Sequence, residues 1–146
     1  MSDGPPADPA PGDTYVVVVS PDVTATNLTM EELRRLFFFR ERRWKSGPAA
    51  SLVYSEEGLE PGSFLLTAIY HMSYPELRRL ILEKLYQGEI ALAPRVAPSD
   101  GIAVTYVASG RGLVALVPAA VGQGTRAKIL TIDGLAPGSA GYALKR

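Results

Sequence analysis

The densest group of functional side chains is a basic and aromatic segment between residues 34 and 45. Five arginines and a lysine are interleaved there with phenylalanines and a tryptophan. Guanidinium groups beside aromatic rings are typical of surfaces that bind anions or acidic partners. Because no nucleic-acid-binding motif accompanies the segment, we predict a protein-contact patch at Arg42, Arg43 and Trp44, without nucleic-acid binding. The alternative is that Trp44 packs beneath the segment and holds it in place.

Side chains that could catalyse a reaction are few. The chain has one histidine, His71, and no cysteine, which excludes disulfides, thiol nucleophiles and cysteine-based zinc sites. Glu56, Glu57 and Glu60 share one polar stretch, but neighbouring glutamates in a loop are usually solvated and not paired for acid–base work. Phosphate-loop and dinucleotide motifs are missing. The sequence therefore predicts no catalytic residue, no metal site and no cofactor.

Composition describes a chain of ordinary globular character. It has 146 residues, of which 47% are hydrophobic, and 15 basic side chains balance 15 acidic ones. Any electrostatic partner must therefore be met by a local patch. No apolar run approaches the roughly 20 residues of a membrane helix, so we predict no membrane span. Residues 1–13 are rich in Pro, Ala, Gly and Asp without the order of a secretion signal, and predict a flexible leader before one domain over 14–146.

Strand and helix signals alternate along that domain. Tyr15 to Val19 is a β-branched run typical of a strand buried on both faces. Thr29 with Glu32, and Ser73 with Glu76, form capping boxes that predict helices from about Met30 and from Ser73 to Gly88. The remaining predictions are strands over 50–54, 113–117 and 128–132, helices over 62–70 and 99–109, and an extended connection over 89–98. This order predicts an α/β domain with a mixed, mainly parallel sheet flanked by helices.

The order of short motifs resembles a known family. The chain is similar to the substrate-binding proteins of phosphate-type ABC importers, which have the type II periplasmic binding fold, and in particular to their short single-lobe relatives. The resemblance covers roughly residues 15–133. It rests on the strand Tyr15 to Val19; on Leu28, Thr29, Glu32, Leu33 and Phe37; on Arg40, Arg42 and Trp44; on Met72 and Ser73; on Tyr86, Gly88, Pro94 and Arg95; and on Gly112, Val114, Val117 and Pro118.

The resemblance implies a single lobe that binds a solute and does not catalyse. If it holds a small oxyanion, the expected ligand residues are Ser20, Ser55, Gly62, Ser63 and Arg40. Phosphate binders carry an arginine in the segment that wraps the anion, whereas this chain has Ser55 to Ser63 with three glutamates and no arginine. Like-charge repulsion would oppose phosphate there, so the lobe is expected to be degenerate for phosphate.

Two functional interpretations stay open at this point. The first is a solute-binding-like protein that works with a transporter or another envelope component. The second is a protein-interaction or regulatory module built on the same lobe, without a small ligand. The resemblance implies a periplasmic or extracytoplasmic location, while the missing signal leaves the cytoplasm open, and the sequence does not specify an oligomeric state.

Overall fold

The architecture is a mixed β-sheet with helices on both faces. The computed structural model describes residues 14–45, 47–123 and 126–146, so the leader predicted for residues 1–13 lies outside it. The strands are β1 (Tyr15–Val19), β2 (Asn27–Leu28), β3 (Ser51–Ser55), β4 (Arg95–Ala97), β5 (Leu113–Pro118), β6 (Lys128–Ile129) and β7 (Thr131–Ile132). The helices are α1 (Met30–Phe37), α2 (Tyr74–Tyr86), α3 (Asp100–Ser109) and α4 (Ala119–Gly122), with a 3₁₀ turn at Glu57–Leu59 and a π-helical segment at Leu65–Tyr70.

Five strands form the main sheet in the order β4-β3-β5-β1-β6, and β2 pairs with β7 beside it. The pairs β3–β4, β3–β5 and β2–β7 are parallel. The pairs β1–β5 and β1–β6 are antiparallel. The main sheet therefore has two parallel and two antiparallel pairings, and with the separate β2–β7 pair three of five pairings are parallel, which confirms the predicted α/β class with a mixed, mainly parallel arrangement.

The core has two parts because β1 is covered on both sides. Val17 and Val19 pack in one cluster with side chains of α1 and α2, whereas Val16 and Val18 pack in another with α3. All four valines are fully buried. A continuous apolar run is what a central strand between two helical layers requires, so the predicted burial on both faces is confirmed.

Local signals place the helix ends. Glu32 N–H donates to Thr29 Oγ1 at 3.1 Å, and Thr29 N–H donates back to Glu32 Oε1 at 2.9 Å. Ser73 and Glu76 exchange the same pair of bonds at the start of α2. These reciprocal bonds satisfy amides that the first helical turn leaves unpaired, as the two capping boxes predict. At α3 the cap is a single bond, in which Ser99 Oγ accepts from Ile102 N–H at 3.2 Å.

Three of the predicted segments differ from the structure by more than one end residue. The helix predicted from Gly62 begins only after Ser63, because Gly62 adopts a positive φ of 79° in the preceding turn. The connection predicted over 89–98 contains β4, which the absence of a sustained period concealed. The strand predicted over 128–132 is divided at Leu130, since β6 pairs with β1 and β7 pairs with β2.

Candidate functional site

A polar junction joins the end of β3 to the start of α3. Ser55 Oγ donates to Asp100 Oδ1 and accepts from Gly58 N–H at 2.8 Å. Asp100 N–H donates to Glu57 Oε1 at 2.8 Å, and Ser63 Oγ donates to Gly58 O at 2.7 Å. Ser55 and Asp100 are both buried. The loop after β3 is therefore held against the first turn of α3, and all of these residues except Ser55 also border a cavity.

That cavity has a volume of about 280 Å³ and is bordered by the loop, by α3 and by the last residue of the chain. Glu57, Glu60 and Asp100 supply carboxylates to its lining. Arg146 supplies the guanidinium, which donates to Gly62 O at 3.5 Å and lies over the Tyr15 ring at 5.9 Å from its centroid. The lining therefore sets three carboxylates against one guanidinium.

The pKa of the Asp100 carboxyl reflects the burial and the negative charges at this junction. Burial is the largest cause that raises the pKa of this carboxyl above its usual range, and the carboxylates of Glu57 and Glu60 add to the increase. The hydrogen bond from Ser55 opposes the shift. The same neighbours that disfavour the charge of Asp100 would disfavour the charge of a bound anion.

The predicted ligand residues do not assemble in one place. Gly62 and Ser63 line the 280 Å³ cavity, and Ser55 lies beneath it through Gly58 and Asp100. Ser20 is fully buried, with its Oγ donating to Val107 O at 2.7 Å and accepting from Leu113 N–H at 3.0 Å. A ligand contact from Ser20 would require breaking both bonds, so its prediction as a ligand residue is corrected. Its observed role is to join β1, α3 and β5.

Arg40 lies elsewhere on the surface. It lines a separate shallow cavity of about 490 Å³ with Arg34, Arg35, Phe38 and Glu31. Phe38 is half-buried there, and its ring packs edge-to-face with the Tyr70 ring, with 5.1 Å between the ring centroids. This cavity shares no lining residue with the one at Ser63, so Arg40 and Ser63 border different cavities. We call Arg34, Arg35, Phe38 and Arg40 the arginine patch.

The predicted partner patch is also changed by burial. Trp44 is buried, and its Nε1–H donates to Gly112 O at 3.0 Å, so the ring holds the segment in place as the alternative interpretation stated. Its prediction as a partner-contact residue is corrected. Arg42 and Arg43 are exposed, and Arg42 Nη1 donates to Glu89 O. Only these two of the predicted patch residues present their side chains to solvent.

Two residues of the cavity were missing from the sequence predictions. Asp100 follows the Ser99 cap directly, and an acidic residue in the first turn of a helix is so common that it carried no signal of a site. Arg146 is 84 positions from Gly62, and nothing in the local sequence indicates their contact. Although several carboxylates lie near each other, no group of three or more His, Cys, Asp or Glu within the described ranges could hold a metal ion.

Comparison with solved structures assigns the fold. An ABC-type phosphate transport receptor from Vibrio cholerae matches 86% of this chain with 18% identity and a TM-score of 0.59. PstS from Borrelia burgdorferi matches 92% of the chain with 20% identity and a TM-score of 0.60. The chain has the fold of a phosphate-transport receptor.

This phosphate-receptor fold is present only in part. The chain spans 48% of the Vibrio receptor and 55% of the Borrelia protein, about half of each. The predicted resemblance to a short, single-lobe form of these receptors is confirmed at the level of the fold. No protein-family model matches the chain. No curated protein matches it either.

The helices were also compared with the demands of a bilayer. In residues 14–45, 47–123 and 126–146, none combines the length and apolar character needed to cross one.

Proposed function

We propose that this chain is a non-enzymatic, extracytoplasmic solute-binding-like protein whose ligand position is the 280 Å³ cavity and which has lost the capture of free phosphate. The phosphate-receptor fold supports the binding role, since the solved structures with this fold include an ABC-type phosphate transport receptor. The single observation that carries the loss of phosphate capture is the lining of three carboxylates against the guanidinium of Arg146. The proposed protein partner is a transporter or another envelope component.

The charge balance of the cavity lining sets the expected size of the loss in phosphate affinity. Two unit charges about 5 Å apart repel by roughly 3 kcal/mol at an effective dielectric constant of about 20. A phosphate dianion beside Glu57, Glu60 and Asp100 meets that repulsion several times over, and one guanidinium offsets only part of it. Each 1.4 kcal/mol corresponds to about a tenfold change in affinity. The carboxylates therefore oppose phosphate binding, although solvent reduces the repulsion from the exposed side chains of Glu57 and Glu60.

The backbone around the cavity gives little compensation. The Ser63 hydroxyl already donates its hydrogen to Gly58 O at 2.7 Å, and the amides of Leu66 and Thr67 donate to Ser63 Oγ at 3.2 Å and to Ser63 O at 2.9 Å. Gly58 N–H is likewise bonded to Ser55 Oγ. These bonds occupy polar groups of the loop that a captured anion would otherwise use.

The test is an amide-resolved NMR titration with inorganic phosphate at neutral pH. We expect no shift of the Gly58, Gly62 and Ser63 amides in the unmodified chain. Replacing both acids, Glu57→Gln with Glu60→Gln, keeps the oxygen that accepts from Asp100 N–H and should bring the dissociation constant for phosphate down by at least tenfold.

The matched control for this titration is Glu41→Gln with Glu83→Gln, which removes the same charge from exposed positions outside both the cavity and the arginine patch and should leave phosphate unbound. Sub-millimolar phosphate binding by the unmodified chain would make it a phosphate receptor and refute the proposed loss. If the variant with Glu57→Gln and Glu60→Gln also fails to bind phosphate, the cavity is not the ligand position.

A second candidate function is supported by the arginine patch. Its three exposed arginines surround a half-buried aromatic ring, while Glu31 alone among the lining residues is acidic. An acidic segment of a partner protein fits this charge and would bind in a salt-dependent manner. This would make the chain a protein-interaction module. The probe is a fluorescent oligoglutamate peptide, which should bind the unmodified chain and lose at least tenfold in affinity with Arg34→Gln and Arg40→Gln.

The control for the peptide measurement is Arg111→Gln with Arg126→Gln, because both side chains are exposed and lie outside the arginine patch. Equal losses in the test and control variants would show attraction by overall charge and would exclude the patch as a docking site.

A further inference from the structure

The 280 Å³ cavity is bordered by negative charge that the surrounding side chains do not neutralise. Asp100 is only 8% exposed, and its Oδ1 accepts from Ser55, whereas its Oδ2 has no hydrogen-bond partner among the described residues. Neither Asp100 nor its neighbours Glu57 and Glu60 forms a salt bridge within residues 14–45, 47–123 and 126–146. An aspartate is seldom buried this far unless a cation is paired with it. The lining is therefore complementary to a positive charge.

A pair of aromatic rings forms another part of the same lining. The rings of Tyr15 and Phe64 are stacked, with 4.2 Å between their centroids and 6° between their planes. Phe64 covers one face of the Tyr15 ring, so the other face is available to a cation, which a ring attracts from within about 6 Å. The guanidinium of Arg146 lies over the Tyr15 ring at 5.9 Å from its centroid. The chain thus already places one of its own cations on this ring.

Arg146 is weakly held in that position. Its side chain is exposed, its Nη2 donates to Gly62 O at 3.5 Å, and its Nε donates to the Tyr15 hydroxyl at 3.4 Å. Both distances exceed the value of about 2.9–3.0 Å that is usual for an N–H···O bond. A cation from solution therefore replaces the guanidinium without breaking a strong bond.

On the basis of the proposed function, we propose that the solute of this cavity is a short aliphatic dication. One of its ammonium groups lies among the three carboxylates, and the other lies over the Tyr15 ring in place of the Arg146 guanidinium. Three carboxylates less one guanidinium give the lining a net charge of −2, which a dication balances. The volume of about 280 Å³ is just below the range of about 300–1,000 Å³ that drug-sized ligands need, so the solute is small.

The arrangement of the carboxylates favours an organic cation over a metal ion. Within the described part of the chain, no group of three or more His, Cys, Asp or Glu is placed to hold a metal. An ammonium group has three N–H donors and bonds oxygens that do not converge on one point. Burial first, and then the charges of Glu57 and Glu60, raise the pKa of Asp100, and a nearby ammonium group would favour the charged carboxylate instead.

The test is a calorimetric titration of the unmodified chain with putrescine, a four-carbon diamine, at neutral pH and low salt. We expect a dissociation constant below about a millimolar, together with shifts of the NMR signals of Gly62 and of the Tyr15 ring. Butanediol, which has the same length without charge, should not bind. Butylamine, which has one ammonium group, should bind about tenfold more weakly than putrescine.

Variants locate the charges that the diamine uses. Glu57→Gln with Glu60→Gln should weaken putrescine about tenfold, whereas the matched control, Glu41→Gln with Glu83→Gln, should leave its affinity within about twofold. Arg146→Gln removes the competing guanidinium and should tighten the binding about threefold. Circular dichroism checks that each variant is folded.

An unmodified chain that does not bind putrescine would overturn the dication as the solute. Equal losses in the test and control variants, binding without a shift at Gly62 and Tyr15, or weaker binding by Arg146→Gln would do the same. Calcium that binds as tightly as putrescine would overturn the organic class. The phosphate titration stays a separate measurement, because a chain that binds neither putrescine nor phosphate keeps the proposed loss of phosphate capture and rejects only the dication.

Discussion

Two buried tyrosines share one hydrogen bond, and the direction of that bond predicts that they contribute unequally to stability. Tyr54 and Tyr70 are 3% and 2% exposed, and their hydroxyl oxygens are 2.6 Å apart. Tyr70 OH donates to Phe37 O at 2.7 Å, and a carbonyl oxygen can only accept. Since Tyr70 has a single hydroxyl hydrogen, Tyr54 must be the donor to Tyr70. The chain of bonds therefore runs from Tyr54 through Tyr70 to the last carbonyl of α1.

This direction predicts the cost of each substitution. Tyr70→Phe leaves the Tyr54 hydroxyl and Phe37 O buried without partners, at about 1–3 kcal/mol for each unsatisfied group, so we expect a loss of roughly 2–6 kcal/mol. Tyr54→Phe leaves Tyr70 bonded to Phe37 O and should cost about 1 kcal/mol. The double variant removes the orphaned Tyr54 donor, and should be no less stable than Tyr70→Phe alone.

Urea unfolding followed through the fluorescence of Trp44, the one tryptophan of the chain, measures these differences. Burial is the largest cause that raises the pKa of both tyrosines, so the hydroxyls stay protonated and the comparison holds at neutral pH. Equal losses for the two single variants, or a double variant that shows their sum, would refute the assigned direction of the bonds.

Two further predictions concern the neighbourhood of the site. Gly112 has a φ of 67°, and a Cβ there would collide with Ala49 O, whereas Gly134 has a φ of 78° and open space around it. Gly112→Ala should therefore cost about 3 kcal/mol and Gly134→Ala about 1 kcal/mol in urea unfolding. The raised pKa of Asp100 means that its contribution to stability is present below the unfolded pKa and is lost as the pH rises through the folded value. The stability of Asp100→Asn relative to the unmodified chain should increase over that pH range, and a constant difference would contradict the shift.

Features that depend on neighbours in sequence could be predicted from the sequence. Thr29 with Glu32 and Ser73 with Glu76 act within one helical turn, so their spacing determines where α1 and α2 begin. The valine run of β1 requires two covering layers wherever it lies, and this already indicated a central strand. The order of such signals was sufficient for the α/β class and for the resemblance to phosphate receptors.

The site depended on contacts that no local pattern encodes. Ser55 is hydrogen-bonded to Asp100, which is 45 positions away in the sequence, and Trp44 is hydrogen-bonded to Gly112, which is 68 positions away. The first contact creates the acidic junction, and the second turns a predicted surface residue into a buried support. Arg40 and Ser63 carry chemistry suited to one anion, yet the fold places them in separate cavities.

The sequence by itself determined the helix starts, the central strand and the absence of cysteine chemistry, because these follow from residue type and spacing along the chain. Only the tertiary structure decided which polar groups meet and which are consumed by internal hydrogen bonds. The physical reason is that burial and pairing are properties of surfaces brought together by the whole chain. The sequence predicts Ser20 as a ligand residue, whereas in the structure its hydroxyl is already bonded to Val107 O and to Leu113 N–H.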